Sequence, residues 1–441
     1  MSLPTYSEFR DSGVAWAARV PIHWETWKLA HAFDSIGSGT TPPTDEPTWY
    51  SEGTIPWVTT GELREGVIFQ TAKSVTSEAI EKFTSLRRYS KGALVLAMYG
   101  ATIGRLGILG VEATVNQACC VLSGPRQLFP RFVFHWLVGF KKQIVDIYST
   151  GGGQPNISQE IVSSLRIPAP GWDEQANIAA FLDRETSKID ALIAEQERLI
   201  TLLAEKRQAT ISQAVTRGLN PDAPMKVSGV VWLGEVPTHW DIVPLKYLVE
   251  LRSGGTPSKD NLAYWEGDVP WASAKDLKVE ELRSTSDCIT QTAVDEGAAS
   301  LVRAGAVLVV VRGMILARTF PVVETRVPMA INQDLKAVLP LDRLNASFLA
   351  WLLRASAGES LRRLDEAGHG TKALRMDAWT SMQLPVPPLS EQAQVARFLS
   401  RETAKLDALC SDSERAIGLL NERRSALITA AVTGQIDIRA N

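Results

Sequence analysis

The sequence predicts an α+β protein in two similar halves: two mixed α/β domains separated by two long helices that pair as an antiparallel coiled coil, with a pseudo-twofold internal repeat. Three observations lead there. The segment FLDRETSKIDALI (181–193) returns as FLSRETAKLDALC (398–410), with nine of thirteen positions identical. GVAWAARVPIHW (13–24) returns as GVVWLGEVPTHW (229–240), displaced by 216 and sharing seven of twelve. LLAEKRQATISQAVTRG (202–218) is answered by LLNERRSALITAAVTGQ (419–435), so the repeat reaches both ends of each half. A period this long is a duplicated domain pair rather than a solenoid unit.

Residues 1–165 mix short apolar runs with frequent Gly, Pro and Thr, as in IPWVTTGEL (55–63) and ALVLAMYGATIGRLGIL (93–109), followed by FVFHWLVGF (132–140). That reads as short strands, tight turns and at least one helix. Pro168 and Pro170 interrupt it. From Asp173 to Gly218 the chain has almost no Gly or Pro, and Ile189, Leu192, Ile193, Leu199, Ile200 and Leu203 recur at spacings of three and four. This is an amphipathic helix with a repeat near 3.5 residues; at about 1.5 Å per residue, 30–40 residues span roughly 45–60 Å. The second half repeats the plan through VPWASAKDL (269–277), AVLVVVRGM (306–314) and FLAWLLRAS (348–356). A Pro-rich break follows at 385–388, then a second helix from about Ser390 to Thr433 whose apolar positions are Leu406, Leu409, Ile417, Leu420 and Leu427. A lone helix of that length would leave its apolar stripe in water, so the two are expected to pair. The alternative is that each packs only on its own domain.

Composition excludes several classes. With 45% hydrophobic and 22% charged residues in 441, the chain carries enough apolar material for more than one core. The longest apolar runs are far too short to cross a bilayer, and no charged segment followed by an apolar stretch opens the chain, so a cytoplasmic protein with no membrane partner is expected. Cys119, Cys120, Cys288 and Cys410 show no C-x-x-C spacing and the five histidines offer no H-x-x-x-H partner; reduced thiols and no metal or other cofactor are expected. No G-x-x-x-x-G-K-[ST] loop, Ser-His-Asp order or H-E-x-x-H pair occurs, and Thr41-Pro42-Pro43-Thr44 lacks the amide and the aromatic of amino-directed methyltransferase tetrapeptides. The chain reads as non-catalytic.

Polar clusters recur at equivalent places. Ser38-Gly39-Thr40-Thr41-Pro42 matches Ser253-Gly254-Gly255-Thr256-Pro257, and Asn116-Gln117 matches Asn332-Gln333. Tyr99-Gly100 faces Arg312-Gly313, and the Gly-rich run ending in Gln154 faces the one ending in Thr371. Asn and Gln pair with adenine edges, Arg with guanine, and Ser or Thr with several bases or with phosphate. These types on Gly-rich turns make candidates for DNA contact of Thr40, Thr41, Thr59, Thr60, Tyr99, Arg105, Asn116, Gln117, Gln154 and Asn156 in the first half. In the second half they are Thr256, Lys259, Ser273, Lys275, Arg312, Asn332, Gln333, Thr371 and Lys372. The same residues also satisfy turn backbones, and spacing alone leaves both readings open. Base readout is expected where the halves differ, as at Tyr99 against Arg312. A net charge of −3 is unusual for a chain whose sole task is holding phosphate. His23-Trp24 and His239-Trp240 offer a stacking platform for a base or, the preferred reading, a domain-entry motif with a buried Trp.

The order G-V-x-W, V-P-x-H-W, a variable α/β segment, then P-x-P, E-Q and F-L-x-R-E-T-x-K-[IL]-D-x-L, all twice, resembles the specificity subunit of a type I restriction-modification system. The resemblance covers essentially the whole chain; Ala373-Leu374 in place of Asn156-Ile157 is a small departure. It implies two target recognition domains (1–166 and 221–383), each reading one half of a bipartite double-stranded DNA target. It also implies two conserved helical regions (167–220 and 384–441) that fix the spacer and dock two modification (methyltransferase) subunits, with restriction subunits joining for ATP-driven translocation and cleavage. Partners that help enclose the DNA would reconcile the mildly acidic charge with DNA binding. A coiled-coil adaptor that binds only proteins, and an enzyme with an unfamiliar site, are the competing readings.

If the helices act as a ruler, inserting four residues near Leu203 adds about 6 Å, between one and two base pairs at about 3.4 Å each. Methylation mapping should then show unchanged half-sites with a gap one or two base pairs longer. Inserting two residues turns the stripe by roughly 200° and should impair assembly.

Overall fold

The computed structural model describes residues 4–149, 155–366 and 371–440. The chain divides into two units, Met1–Gln196 with Arg415–Asn441, and Glu197–Glu414.

The first unit is built on a five-stranded sheet ordered Phe33–Ser38, Cys119–Pro125, Leu94–Ala97, Leu106–Leu109, Gly66–Ile68. Leu94–Ala97 and Leu106–Leu109 are buried throughout, and Cys119–Pro125 over its first four residues, as expected of strands covered on both faces. One face carries the helix Pro130–Gly139, whose Phe132, Val133, Trp136 and Leu137 share a core with Leu94, Leu96 and Leu122. Proline at the start of that helix supplies a pre-set φ where no N–H is needed. A smaller sheet pairs Ile55–Val58 in parallel with Thr114–Val115 and antiparallel with Ser74–Val75. The second unit repeats the large sheet as Val249–Ser253, Leu335–Pro340, Val307–Val310, Val322–Thr325, Glu281–Leu282, covered by the helix Ala346–Ala355 with Asn345 as its cap.

Each unit also takes parts of two long helices, Trp172–Arg217 and Leu389–Val432. In the first unit Ile178, Ala179 and Leu182 share a core with Ile428, Ala431 and Val432. In the second, Ile211, Ala214 and Val215 share one with Val395, Ala396 and Leu399. Residue numbers rise on one helix as they fall on the other, so within each unit the segments run antiparallel. The least exposed positions fall at Leu182, Thr186, Ile189, Ile193, Gln196, Ile200, Leu203 and Arg207, and 217 residues later at Leu399, Thr403, Leu406, Cys410, Ser413, Ile417, Leu420 and Arg424. Steps of four and three alternate, a seven-residue repeat. Leu192, Leu199 and Leu409, counted in the stripe from sequence, are 51%, 40% and 50% exposed. Each lies one residue before a seam position, about 100° around the helix. Arginine occupies one seam position per helix. Arg207 Nε donates to Asp407 Oδ1 at 3.1 Å in the second unit. In the first, Arg424 Nε lies 3.0 Å from Asp190 Oδ1, close enough for ionic attraction although its N–H is not aimed along that line.

Entry to each long helix is pinned by a Glu-Gln pair. Gln175 is buried; its Oε1 accepts from the Phe129 N–H (2.8 Å) and its amide donates to the carbonyls of Gln127 (3.0 Å) and Pro170 (2.8 Å). Gln392 does the same with the Asn345 N–H (2.8 Å), Arg343 O (2.9 Å) and Pro387 O (2.8 Å). Glu174 accepts from the indole N–H of buried Trp24 at 3.3 Å and from the Tyr6 hydroxyl at 2.6 Å, with His23 Nε2 at 3.2 Å. Glu391 accepts from Trp240 Nε1 at 3.2 Å, with His239 Nε2 at 2.9 Å. The V-P-x-H-W motifs are thus entry clasps. Gly218 and Gly434, each in the left-handed region just past a long helix, lie against Trp240 and Trp24, where a Cβ would come within 3.1 and 3.2 Å of the ring.

Where the domain helix meets the long helix, the units differ. In the first, Arg131 Nε and His135 Nε2 both reach Asp183 Oδ1 at 2.7 Å. Burial pushes the imidazole below its ordinary value, outweighing the raising effect of Asp183. In the second, Arg207 of the long helix lies over the Trp351 ring of the domain helix at 6.0 Å, and Arg354, on the same ring at 4.6 Å, donates to the carbonyls of Val322 (3.1 Å) and Glu280 (2.6 Å).

The tightest backbone approach lies at one end of each large sheet. A Cβ on Gly39 would sit 1.7 Å from the Val115 carbonyl oxygen, and one on Gly254 1.9 Å from that of Ile331. Gly39→Ala should destabilise by at least about 2 kcal/mol. Gly61→Ala, whose nearest neighbour would be Thr59 Oγ1 at 3.6 Å, should stay within about 0.5 kcal/mol; urea unfolding monitored on tryptophan fluorescence compares them.

Candidate nucleic-acid interface

The strand directions gather the polar clusters at that same end. In the first sheet, the C-terminal ends of Phe33–Ser38 and Leu94–Ala97 lie beside the N-terminal ends of Cys119–Pro125, Leu106–Leu109 and Gly66–Ile68. The connections holding Thr40 and Thr41, Tyr99 to Arg105, and Asn116 and Gln117 therefore meet there. Hydrogen bonding of Asn116 N–H to Val58 O at 2.9 Å brings Thr59 and Thr60 alongside. In the second unit Ser253↔Lys336, Val310↔Leu335 and Val309↔Val322 give the same arrangement.

The shared part is a rigid frame. The Trp57 indole N–H donates to Thr40 O at 3.2 Å, and that of Trp271 to Gly255 O at 3.0 Å. Asn116 Oδ1 accepts from the Ala118 N–H at 3.2 Å, and Asn332 Oδ1, nearly buried, from the Asp334 N–H at 3.1 Å. Thr59 closes a capping box with Glu62, and Ser273 donates to Asp276 Oδ2 at 3.0 Å. Burial alone would raise Asp276, but N–H and O–H donors from Ser286 and Ser273 outweigh it and hold the carboxyl below its usual range. Asn116, Asn332, Thr59 and Ser273 therefore already have partners inside turns.

On this frame sit exposed groups. The Thr41 hydroxyl donates to Gln117 Oε1, and Thr256 to Gln333 Oε1 at 2.5 Å; both glutamines are exposed. Tyr99 is 44% exposed and its backbone bridges Asn156, while exposed Arg312 bridges Ala373 in the same antiparallel manner. The halves thus present a phenol in one case and a guanidinium in the other from one backbone position, beside the substituted residues 156 and 373. Arg105 and Arg312 make no side-chain hydrogen bond or ion pair among the described residues. Lys259 is exposed, Lys275 donates to Asp287 Oδ2 at 2.8 Å, which raises its pKa, and Lys372 donates to Glu366 Oε1 at 2.6 Å. Thr60 and Thr371 are half-buried, and Gln154 lies outside the described residues. Arg318, exposed on the turn after Arg312, is a further cation at this end. Its counterpart is obscured in sequence because the connection from 312 to 322 is three residues longer than that from 99 to 106.

Among the described residues no His, Cys, Asp and Glu cluster has metal-binding form, and no helix is long and apolar enough to cross a membrane. The family described as type I restriction modification DNA specificity domain matches residues 21–201 and 237–415. The EcoR124I/EcoR124II specificity subunit of Escherichia coli is 25% identical over 66% of this chain and 67% of its own length. The MjaVIII specificity subunit of Methanocaldococcus jannaschii is 20% identical over 96% and 95%. A solved chain from work on assembly and conformational transition of the type I R-M system superposes with a TM-score of 0.73 at 17% identity, over 94% of this chain and 98% of that one. Two matched domains, related specificity subunits and the shared fold place this chain in the type I restriction modification DNA specificity family, as a specificity subunit.

Proposed function

We propose that each unit reads one half of a bipartite double-stranded DNA target through the loops at the end of its five-stranded sheet. The observation that carries this reading is the duplication: the same exposed polar groups stand on the same frame in both units, with side chains exchanged at Tyr99 and Arg312. In this reading residues 1–166 and 221–383 are the target recognition domains, and 167–220 and 384–441 the conserved helical regions. The chain supplies recognition without catalytic groups; methyl transfer belongs to two modification subunits, and cleavage to restriction subunits, in the cytoplasm. Exchanging residues 25–165 for another such domain should change one half-site and leave the other and the spacer untouched. A change in both half-sites on methylation mapping would sink the modular reading.

Docking of two identical modification subunits is supported by the outer faces of the long helices. Leu192 and Leu419 in the first unit are 51% and 60% exposed, and their counterparts 217 residues away, Leu409 and Leu202, are 50% and 51% exposed in the second. Each unit offers the same couple of uncovered leucines at matching positions, apolar area that a docked subunit would remove from water. Replacing Leu192 and Leu419 together with Ser should lower the number of bound modification subunits from two to one, read by native mass spectrometry.

A further inference from the structure

The Thr41–Gln117 and Thr256–Gln333 pairs have a chemical polarity that narrows what they face. In each, the hydroxyl donates to the amide oxygen. That contact turns Oε1 toward the threonine and leaves the two N–H groups of an exposed amide as the outward function. Bidentate pairing with adenine needs oxygen and nitrogen presented together, so a glutamine held this way offers donors and seeks an acceptor. Both pairs rest on the same supports: a glycine with no room for a Cβ, a tryptophan N–H on the loop backbone, and an asparagine folded into its own turn. A device built identically twice cannot be the source of a difference between two half-sites. The acceptor present at every nucleotide, whatever the sequence, is the phosphate oxygen.

Resting on the reading of each unit as a DNA reader, we infer that Gln117 and Gln333 each hold one backbone phosphate, setting the depth and register at which Tyr99 and Arg312 meet the bases. They are positioning residues that carry no sequence preference themselves. An amide donor to an anionic oxygen is neutral, so its loss weakens binding without changing the counterions released.

The test uses the full chain with its modification partner on duplexes carrying the mapped target, single base-pair substitutions of it, or a single methylphosphonate at each position in turn. Gln117→Ala should weaken binding roughly five- to twenty-fold, evenly across all base substitutions and with the salt slope unchanged. One methylphosphonate in the first half-site that weakens the wild type should cost the variant nothing, and Gln333→Ala should silence a different one in the second half-site. Gln117→Glu keeps an acceptor for Thr41 but opposes phosphate, so it should bind more weakly than Gln117→Ala and recover at that methylphosphonate. Altered preference at a base pair, or undiminished affinity in both alanine variants, would overturn the clamp while leaving wild-type recognition of a bipartite site intact. Failure of the wild-type complex to select a bipartite site would overturn the DNA-reading assignment together with it.

Discussion

Each half depends on the buried glutamine that begins its long helix. Gln175 and Gln392 each place both amide N–H groups and the amide oxygen on main-chain partners, joining the loop before the domain helix to the proline break before the long one. The adjacent glutamate takes the indole N–H from the first residues of the domain. Three segments distant in sequence are held at one point. An unsatisfied buried amide costs about 1–3 kcal/mol, so removing any one segment strands the partners of the others. The framework is therefore over-determined around this point.

Much of this is legible in the sequence. The duplication, the mixed domains and the two long helices follow from repeat spacing and from where Gly and Pro stop, and the helix ends fall within about two residues of expectation. Leu192, Leu199 and Leu409 were misplaced because a count of apolar spacings accepts any leucine, whereas a seven-residue repeat admits only those in phase. The seam instead takes Thr186, Gln196 and Arg207, which no search for apolar residues would select. The polar clusters were found from composition, but composition could not separate Asn116, closed in its own turn, from Gln117 beside it, turned outward. That distinction lives in the path of the backbone. Arg318 left no sequence signal, since a loop of different length breaks the alignment of the halves.

The helix seam is mixed in character: nine of its sixteen positions are Leu or Ile. With Thr, Gln, Ser, Cys and Arg among its inward positions, it gains less from burial than a run of leucines would, and the Arg207–Asp407 and Arg424–Asp190 pairs make the attraction specific to one alignment. Charge at these positions weakens the helices as generic sticky surfaces.

One unit is continuous in the chain and the other is not. Residues 197–414 hold everything the second core requires, whereas the first core is unfinished until Ile428, Ala431, Val432 and Ile438 arrive. On the ribosome, the half whose sequence emerges first is thus the half completed last, and it waits with an open seam along Ile178 and Leu182 while more than two hundred residues are added. Synthesis at about 5–20 residues per second makes that interval tens of seconds at the slow end, time in which the apolar residues that will meet Ile428, Ala431 and Val432 stay uncovered.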